Sequence, residues 1–238
     1  MKLIRLATAF SLAITLSIAT HAGDNQVSFG ETSVTVRADD DFCAIDKAQP
    51  FDKAWLDIQV KANAGSNEVA GAYLLCDELA QLRQGVSLNP SRWVILLSPL
   101  QGGTKAQPVK GITRKQLVEA LAVEFDKGVK VDVAEISENV NQAGESVLGT
   151  DNMAPIEISG TGVPSLLAKT DAGVYAGLQL QVATENGRTP VGAVIGITLV
   201  NDHMLSVNVY RIFDDPKTIN TLLGEASVMI EDIVKLND

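Results

Sequence analysis

Residues 175–184 (YAGLQLQVAT), 191–200 (VGAVIGITLV) and 203–213 (HMLSVNVYRIF) decide the fold. Each segment has strand length and is rich in β-branched or alternating apolar residues. In the first, Leu178, Leu180 and Val182 share one side while Gln179 and Gln181 take the other. In the third, Leu205, Val207 and Val209 alternate with Ser206 and Asn208. The connections, Glu185-Asn186-Gly187-Arg188 and Asn201-Asp202, are short, and the first carries an Asn-Gly turn signal. Short turns force neighbouring strands to run antiparallel. Downstream, Asp215 and Pro216 read as the N-cap and first residue of a helix. Its residues Ile219, Leu222, Leu223, Ala226, Met229, Ile230 and Ile233 form a wide apolar stripe. Such a stripe must be buried, and the apolar face of the meander is the nearest surface. The expectation is an α+β chain, an antiparallel β-meander covered by helices.

Upstream, Val34 and Val36 alternate with Thr35 and Arg37, which predicts a short strand within 27–37. Asp39, Asp40 and Asp41 make an acidic turn. Phe51, Trp55 and Ile58 recur at helical spacing over 50–62, with Asp52 as candidate N-cap; the alternation of Leu56, Ile58 and Val60 leaves a strand as runner-up. Residues 69–75 fit a buried strand or the start of a helix reaching Gln84. Trp93 to Leu97 read as a strand bounded by Pro90 and Pro99. Thr113 and Gln116 form a capping box ahead of Leu117, Leu121 and Phe125, and Gly128 stops that helix. Val129, Val133, Ile136 and Val140 predict another helical stretch. The segment 144–160 reads mostly as loop and is the candidate subdivision within a single domain over 23–238.

The N-terminus carries an address. Lys2 and Arg5 precede an uncharged, mostly apolar run from Leu6 to Ala19, and Thr20-His21-Ala22 ends in residues a signal peptidase accepts. The run is about fourteen residues, short of the roughly twenty that span a bilayer. Residues 1–22 are therefore expected to be a cleaved signal peptide, with the mature chain in the periplasm or secreted. Cys43 and Cys76 are the two cysteines of the chain. In an oxidising compartment an even count reads as a bridge, and two cysteines allow one pairing. A net charge of −10 disfavours nucleic acid and anionic lipid surfaces, and no second long apolar segment suggests a membrane anchor.

Catalytic signals are sparse. The chain has two histidines, His21 within the signal and His203 beside the Asn201-Asp202 turn, where solvent exposure is expected. One mature histidine argues against imidazole-based zinc or copper sites. There is no G-x-S-x-G or S-x-x-K sequence. Gly160-Thr161-Gly162 and Gly102-Gly103-Thr104 complete neither phosphate-binding pattern. Asp39-Asp40-Asp41 lacks the ligand spacing of an EF-hand. No catalytic, metal-binding or cofactor-binding residue is expected, and no cofactor.

Two stretches carry a resemblance. Phe42-Cys43-Ala44-Ile45-Asp46, Asn67, Leu75-Cys76-Asp77-Glu78-Leu79 and Arg83 resemble a pattern in uncharacterised exported bacterial proteins. Asp171, Tyr175-Ala176-Gly177-Leu178, Gly192, Thr198, Leu205 through Tyr210 and the final helix look like the same group, whose layout is similar to the Mog1/PsbP-like α+β sandwich. The resemblance implies that fold, a disulfide, and a local pairing or capping role for Asp77 and Arg83. It implies no catalytic residues.

The leading expectation is a soluble periplasmic, non-catalytic binding or accessory protein of the cell envelope. Its partner would be an envelope protein or a small ligand, met by a polar strand face bearing Gln179, Gln181, Ser206 and Asn208. Two alternatives stand beside it. A carboxylate-based hydrolase of envelope glycans requires two converging acids, one with a raised pKa. A small apolar-ligand carrier requires a pocket between helix and sheet.

Overall fold

The computed structural model describes residues 24–86, 89–152, 154–185 and 187–238. The predicted signal peptide and Asn186 lie outside the described residues. In chain order the elements are β1 (Asn25–Phe29), β2 (Thr32–Val36), β3 (Phe42–Ala44), α1 (Pro50–Ala62), β4 (Asn67–Leu75), α2 (Cys76–Arg83), β5 (Arg92–Pro99), α3 (Arg114–Asp126), α4 (Val133–Leu148), β6 (Glu157–Gly160), β7 (Ser165–Lys169), β8 (Val174–Thr184), β9 (Gly187–Val200), β10 (His203–Ile212) and α5 (Thr218–Asn237). A 3-10 turn at Thr150–Asn152 follows α4.

The fold is α+β. One eight-stranded sheet runs in the order β3-β4-β5-β10-β9-β8-β6, with β7 also paired to β8, and every pairing is antiparallel. The predicted meander β8-β9-β10 is its centre. Strands from both sides of the 144–160 segment join this sheet, and α4 runs through Gly144. The predicted strand within 27–37 is in fact a separate hairpin, β1-β2, turning at Gly30 and Glu31.

α5 lies on one face of the meander. Leu222, Ala226, Met229, Ile230 and Ile233 pack with Tyr175, Val194, Leu205, Val207 and Val209, and the β1-β2 hairpin adds Phe29, Val34 and Val36. Full burial of each large aliphatic or aromatic side chain contributes roughly 1.5–3 kcal/mol. Close approach of α5 needs an absent side chain: a Cβ at Gly196 would lie 2.5 Å from Ile230 Cδ1 and 3.1 Å from the Tyr175 ring. At its C-terminus α5 is tied to β2, where the Asn237 side-chain amide accepts from Thr35 N and donates to Thr35 O, both at 2.8 Å.

Cys43 and Cys76 are bonded, with Cα atoms 4.8 Å apart and a sequence separation of 33. The staple joins β3 to the first residue of α2. Beside it Arg83 donates to both Asp52 carboxylate oxygens, at 2.9 and 2.6 Å, and Asp46 N donates to Asp52 Oδ2 at 2.7 Å. Asp52 is fully buried.

Four local expectations are corrected. Asp52 does not cap α1; Gln49 holds that position, and Asp52 is the buried partner of Arg83. Arg83 therefore bonds to Asp52 and not to Asp77, because α2 lies against α1 and brings the guanidinium over the buried carboxylate. α5 starts at Thr218, and Asp215 with Pro216 forms the preceding turn, where Asp215 Oδ1 accepts from Lys217 N. His203 is buried, since the tip of the β1-β2 hairpin folds over it: its ring meets Phe29 edge-on at 5.8 Å, and Nδ1 donates to Asn201 O at 2.7 Å.

Two consequences are measurable by urea unfolding. Replacing both cysteines by serine should lower stability by about 3–4 kcal/mol, the loop-closure value for a loop of this length. Gly196→Ala should cost about 1–3 kcal/mol through overpacking, and adding Ile230→Val, which removes the clashing Cδ1, should recover part of that loss.

Candidate functional site

The face opposite α5 is covered differently. At one end α1 and α2 enclose Leu74, Leu79 and Leu82 with Phe51, Trp93 and the Cys43 side chain. At the other, α3 packs Val118 and Ala122 on Val174, joined by Leu166 and Ile197. These are two separate clusters. The central positions between them, Ile95, Ile195, Ser206 and Asn208, belong to neither.

α4 completes the cover as a strap. Its side chains satisfy the segment leading into the sheet edge at β6: Asn141 Nδ2 and Ser137 Oγ donate to Ile156 O, while Asn141 Oδ1 and Ser137 Oγ accept from Ile156 N and Ile158 N. This also blocks an edge that could template further pairing. The principal contact of α4 is with α1, which meets the sheet at β4. Four strands separate β4 from β6, so the contacting pair α1-α4 bridges this face from edge to edge.

Beneath that bridge the floor is mostly apolar. Register places Trp93, Tyr210 and Ala193 in one row, and Ile95, Asn208 and Ile195 in the next, with Leu97 and Ser206 beyond. Directly paired residues share a face. Trp93 and Tyr210 stack with centroids 5.1 Å apart and planes 9° from parallel. No charged residue occupies these floor positions on β5, β10 and β9. On the α5 side of the same strands, Val94, Leu96, Val194 and Val209 are 0–1 % exposed. On this side Trp93, Leu97, Ile195 and Tyr210 are only half-buried. The α5 side is closely packed core, and the side facing the α1-α4 bridge is less completely buried.

One polar pair sits in that floor. Ser206 Oγ donates to Asn208 Oδ1 at 2.8 Å, and both residues are buried, Asn208 to 4 % exposure. The buried side-chain atoms without a hydrogen-bond partner among the described residues lie elsewhere, at the Tyr73 and Tyr175 hydroxyls and His203 Nε2. Burial pushes the Tyr210 phenol up to about 12, so it stays a protonated donor at neutral pH.

The structure divides the predicted polar face. Gln179 pairs with Gly192 and Gly192 with Arg211, which puts Gln179 and Gln181 on the α5 side, near the start of that helix. Ser206 pairs with Ile197 and Ile197 with Val174, on the opposite side. Each tight turn pairs an even-numbered residue with an odd one (Thr184 with Gly187, Val200 with His203), so two turns align Gln179 with Leu205 and Val207. Gln179 is exposed, whereas Ser206 and Asn208 are not. Sequence reading missed Trp93 and Tyr210 as part of the site; their cross-strand pairing is the signal, and it appears once register is known.

Other polar constellations have structural explanations. Arg92 bridges Glu225 at 3.0 Å and Asp39 at 3.6 Å while its guanidinium lies 4.5 Å over the Phe42 ring. Burial raises the Glu225 pKa, and the neighbouring Arg92 opposes the rise. This is an acid pair with one raised member, but a shared guanidinium occupies the space between. A groove of about 610 Å³ runs between α4 and β6 past Glu138, Glu145 and Glu157, and Ser137 and Asn141 in its wall already bond the sheet edge. Among the described residues no cluster of His, Cys, Asp and Glu could hold a metal ion, and no helix is long and apolar enough to cross a membrane.

No family model matches the chain, and no curated protein is significantly similar to it.

Replacing both partners of a buried hydrogen bond by apolar groups of similar shape can be nearly neutral. The double variant Ser206→Ala/Asn208→Leu removes both partners together. Its unfolding free energy in urea should lie within about 1 kcal/mol of that of the parent chain; a much larger loss would show the pair to be a structural fastener.

Proposed function

We propose that this chain is an exported, non-catalytic binding protein of the cell envelope, and that its site for a small apolar ligand is the sheet face beneath the α1-α4 bridge. The observation that carries the reading is the contrast between the two faces. One is closely packed, while the other keeps an apolar floor on which Trp93, Leu97, Ile195 and Tyr210 stay half-buried around the Ser206–Asn208 pair. An apolar surface with a few convergent polar groups is the usual make-up of small-ligand sites. The Cys43–Cys76 bond agrees with an oxidising compartment, as does the signal-like N-terminus.

The test is native mass spectrometry of the mature protein isolated from its own cell envelope. The expected result is a mature N-terminus at Gly23 and a co-purifying small organic molecule at about one per chain, lost in Ser206→Ala/Asn208→Leu. A chain that carries nothing, and whose tryptophan emission is unmoved by any apolar probe, would overturn the binding reading.

A further inference from the structure

We infer that α4 is a flap, hinged at the β6 edge of the sheet and latched on α1, and that it opens as a unit while the sheet and α5 stay folded. What it admits when open rests on the binding site just proposed; that it opens rests on how it is held. α4 and α5 cover opposite faces of one sheet, but they are seated differently. α5 buries Leu222, Met229, Ile230 and Ile233. α4 buries only Ala143 and Gly144, while its Ile136 and Leu148 side chains are exposed. Removing apolar area from water is the main source of docking free energy. α5 draws on it heavily and α4 hardly at all.

The seams of α4 are polar or open. Toward β6, Ser137 and Asn141 bond the backbone at Ile156 and Ile158. Beside those bonds the groove of about 610 Å³ leaves Val133, Ala134 and Ile158 lining open space where a packed seam would bring them together. Toward α1, Lys61 Nζ donates to Ser146 Oγ at 2.5 Å, and both residues are exposed. Such hydrogen bonds are exchanged for bonds to water on release, so their net contribution is small.

The course of the chain makes β6 the hinge. Ahead of α4, Val131 N donates to Gly162 O at 2.6 Å, just past the end of β6. After α4 the chain passes Gly149, at φ +85°, and rejoins the same edge at Ile156. Both ends of the helix therefore lead back to β6, and its hold on α1 is non-covalent. The helix also carries its own N-cap, since Asp132 Oδ1 accepts from Ala134 N at 3.1 Å and Glu135 N at 3.0 Å. Release leaves those donors satisfied. An element with few buried apolar contacts opens at a free energy below that of global unfolding. Swinging α4 away from α1 breaks the edge-to-edge bridge and uncovers the strip of Ile95, Ile195, Ser206 and Asn208 between the two clusters.

The first test is residue-resolved amide hydrogen exchange on the mature chain. A released helix of 16 residues is marginal in water, so its amides exchange on opening. Amides of 133–148 should be protected about a hundredfold less than those of α5 and β9. Ile156 and Ile158 should exchange in the same step, because their acceptors sit on α4. The second test closes the latch: Lys61→Cys/Ser146→Cys is joined, after folding, by a short bismaleimide. The link should raise α4 protection toward that of α5 and slow the uptake of Nile red, a neutral apolar probe, by about tenfold. Protection of α4 equal to that of α5 in the unlinked chain, or unchanged by the link, would overturn the flap. Nile red entering linked and unlinked chains at one rate would overturn its role as a gate and leave the binding reading intact. No uptake by either chain would instead remove the binding reading, with the flap decided by exchange alone.

Discussion

Coverage of both faces of one antiparallel sheet is the constraint on which the remainder of the structure depends. A meander exposed on one side would alternate apolar and polar residues on every strand. β9 does not: Val191 to Val200 is apolar or small at both parities, because α5 packs on one side while α3, with the α1-α4 bridge, covers the other. Glycine makes the close side possible, since Gly196 leaves space for Ile230 and Tyr175 where a Cβ would collide. The two sides then diverge. Interdigitated aliphatic residues fill the α5 side, whereas the far side is built from two small clusters with a strip between them.

That strip exists because the elements above it are anchored elsewhere. α1 and α2 are fixed to the β3-β4 edge by the disulfide and by the buried Asp52–Arg83 pair. α4 is fixed to the β6 end by Ser137 and Asn141. With each helix tethered at an edge and the two packed on each other, neither needs to settle onto the central strands for its own stability. Breaking a buried ion pair by removing one member is costly, because the remaining charge keeps its desolvation penalty. Asp52 is therefore a firm anchor for α1 and α2.

Much of the architecture was legible because local signals were strong. The Thr113–Gln116 capping box is present, with Thr113 Oγ1 accepting from Gln116 N and the Gln116 side chain accepting from Thr113 N. The α1 limits at 50–62 and the α5 stripe follow from helical spacing, and the cysteine pairing from the count. What was not legible depends on register and on distant contacts. Asp52 resembles an N-cap locally, yet its partner is thirty-one positions away. His203 looks like a turn residue, yet a hairpin from the other end of the chain covers it. The polar stripes of β8 and β10 look alike in sequence, and only the parity of two turns places them on opposite faces.

The same parity explains why the site is polar where it is. Had Ser206 and Asn208 fallen on the α5 side, they would have met the filled core, where an unpaired amide costs roughly 1–3 kcal/mol. On the strap side they bond to each other in the strip left by the edge anchors, beside half-buried apolar neighbours. A sequence selected for stability alone would place valine or leucine at both positions, as it does at Val207 and Val209 two residues apart on the other side. At Ser206 and Asn208 the polar groups meet each other instead, through one hydrogen bond. The pair's location in the middle of the longest-range strand pairing ties it directly to the centre of the sheet.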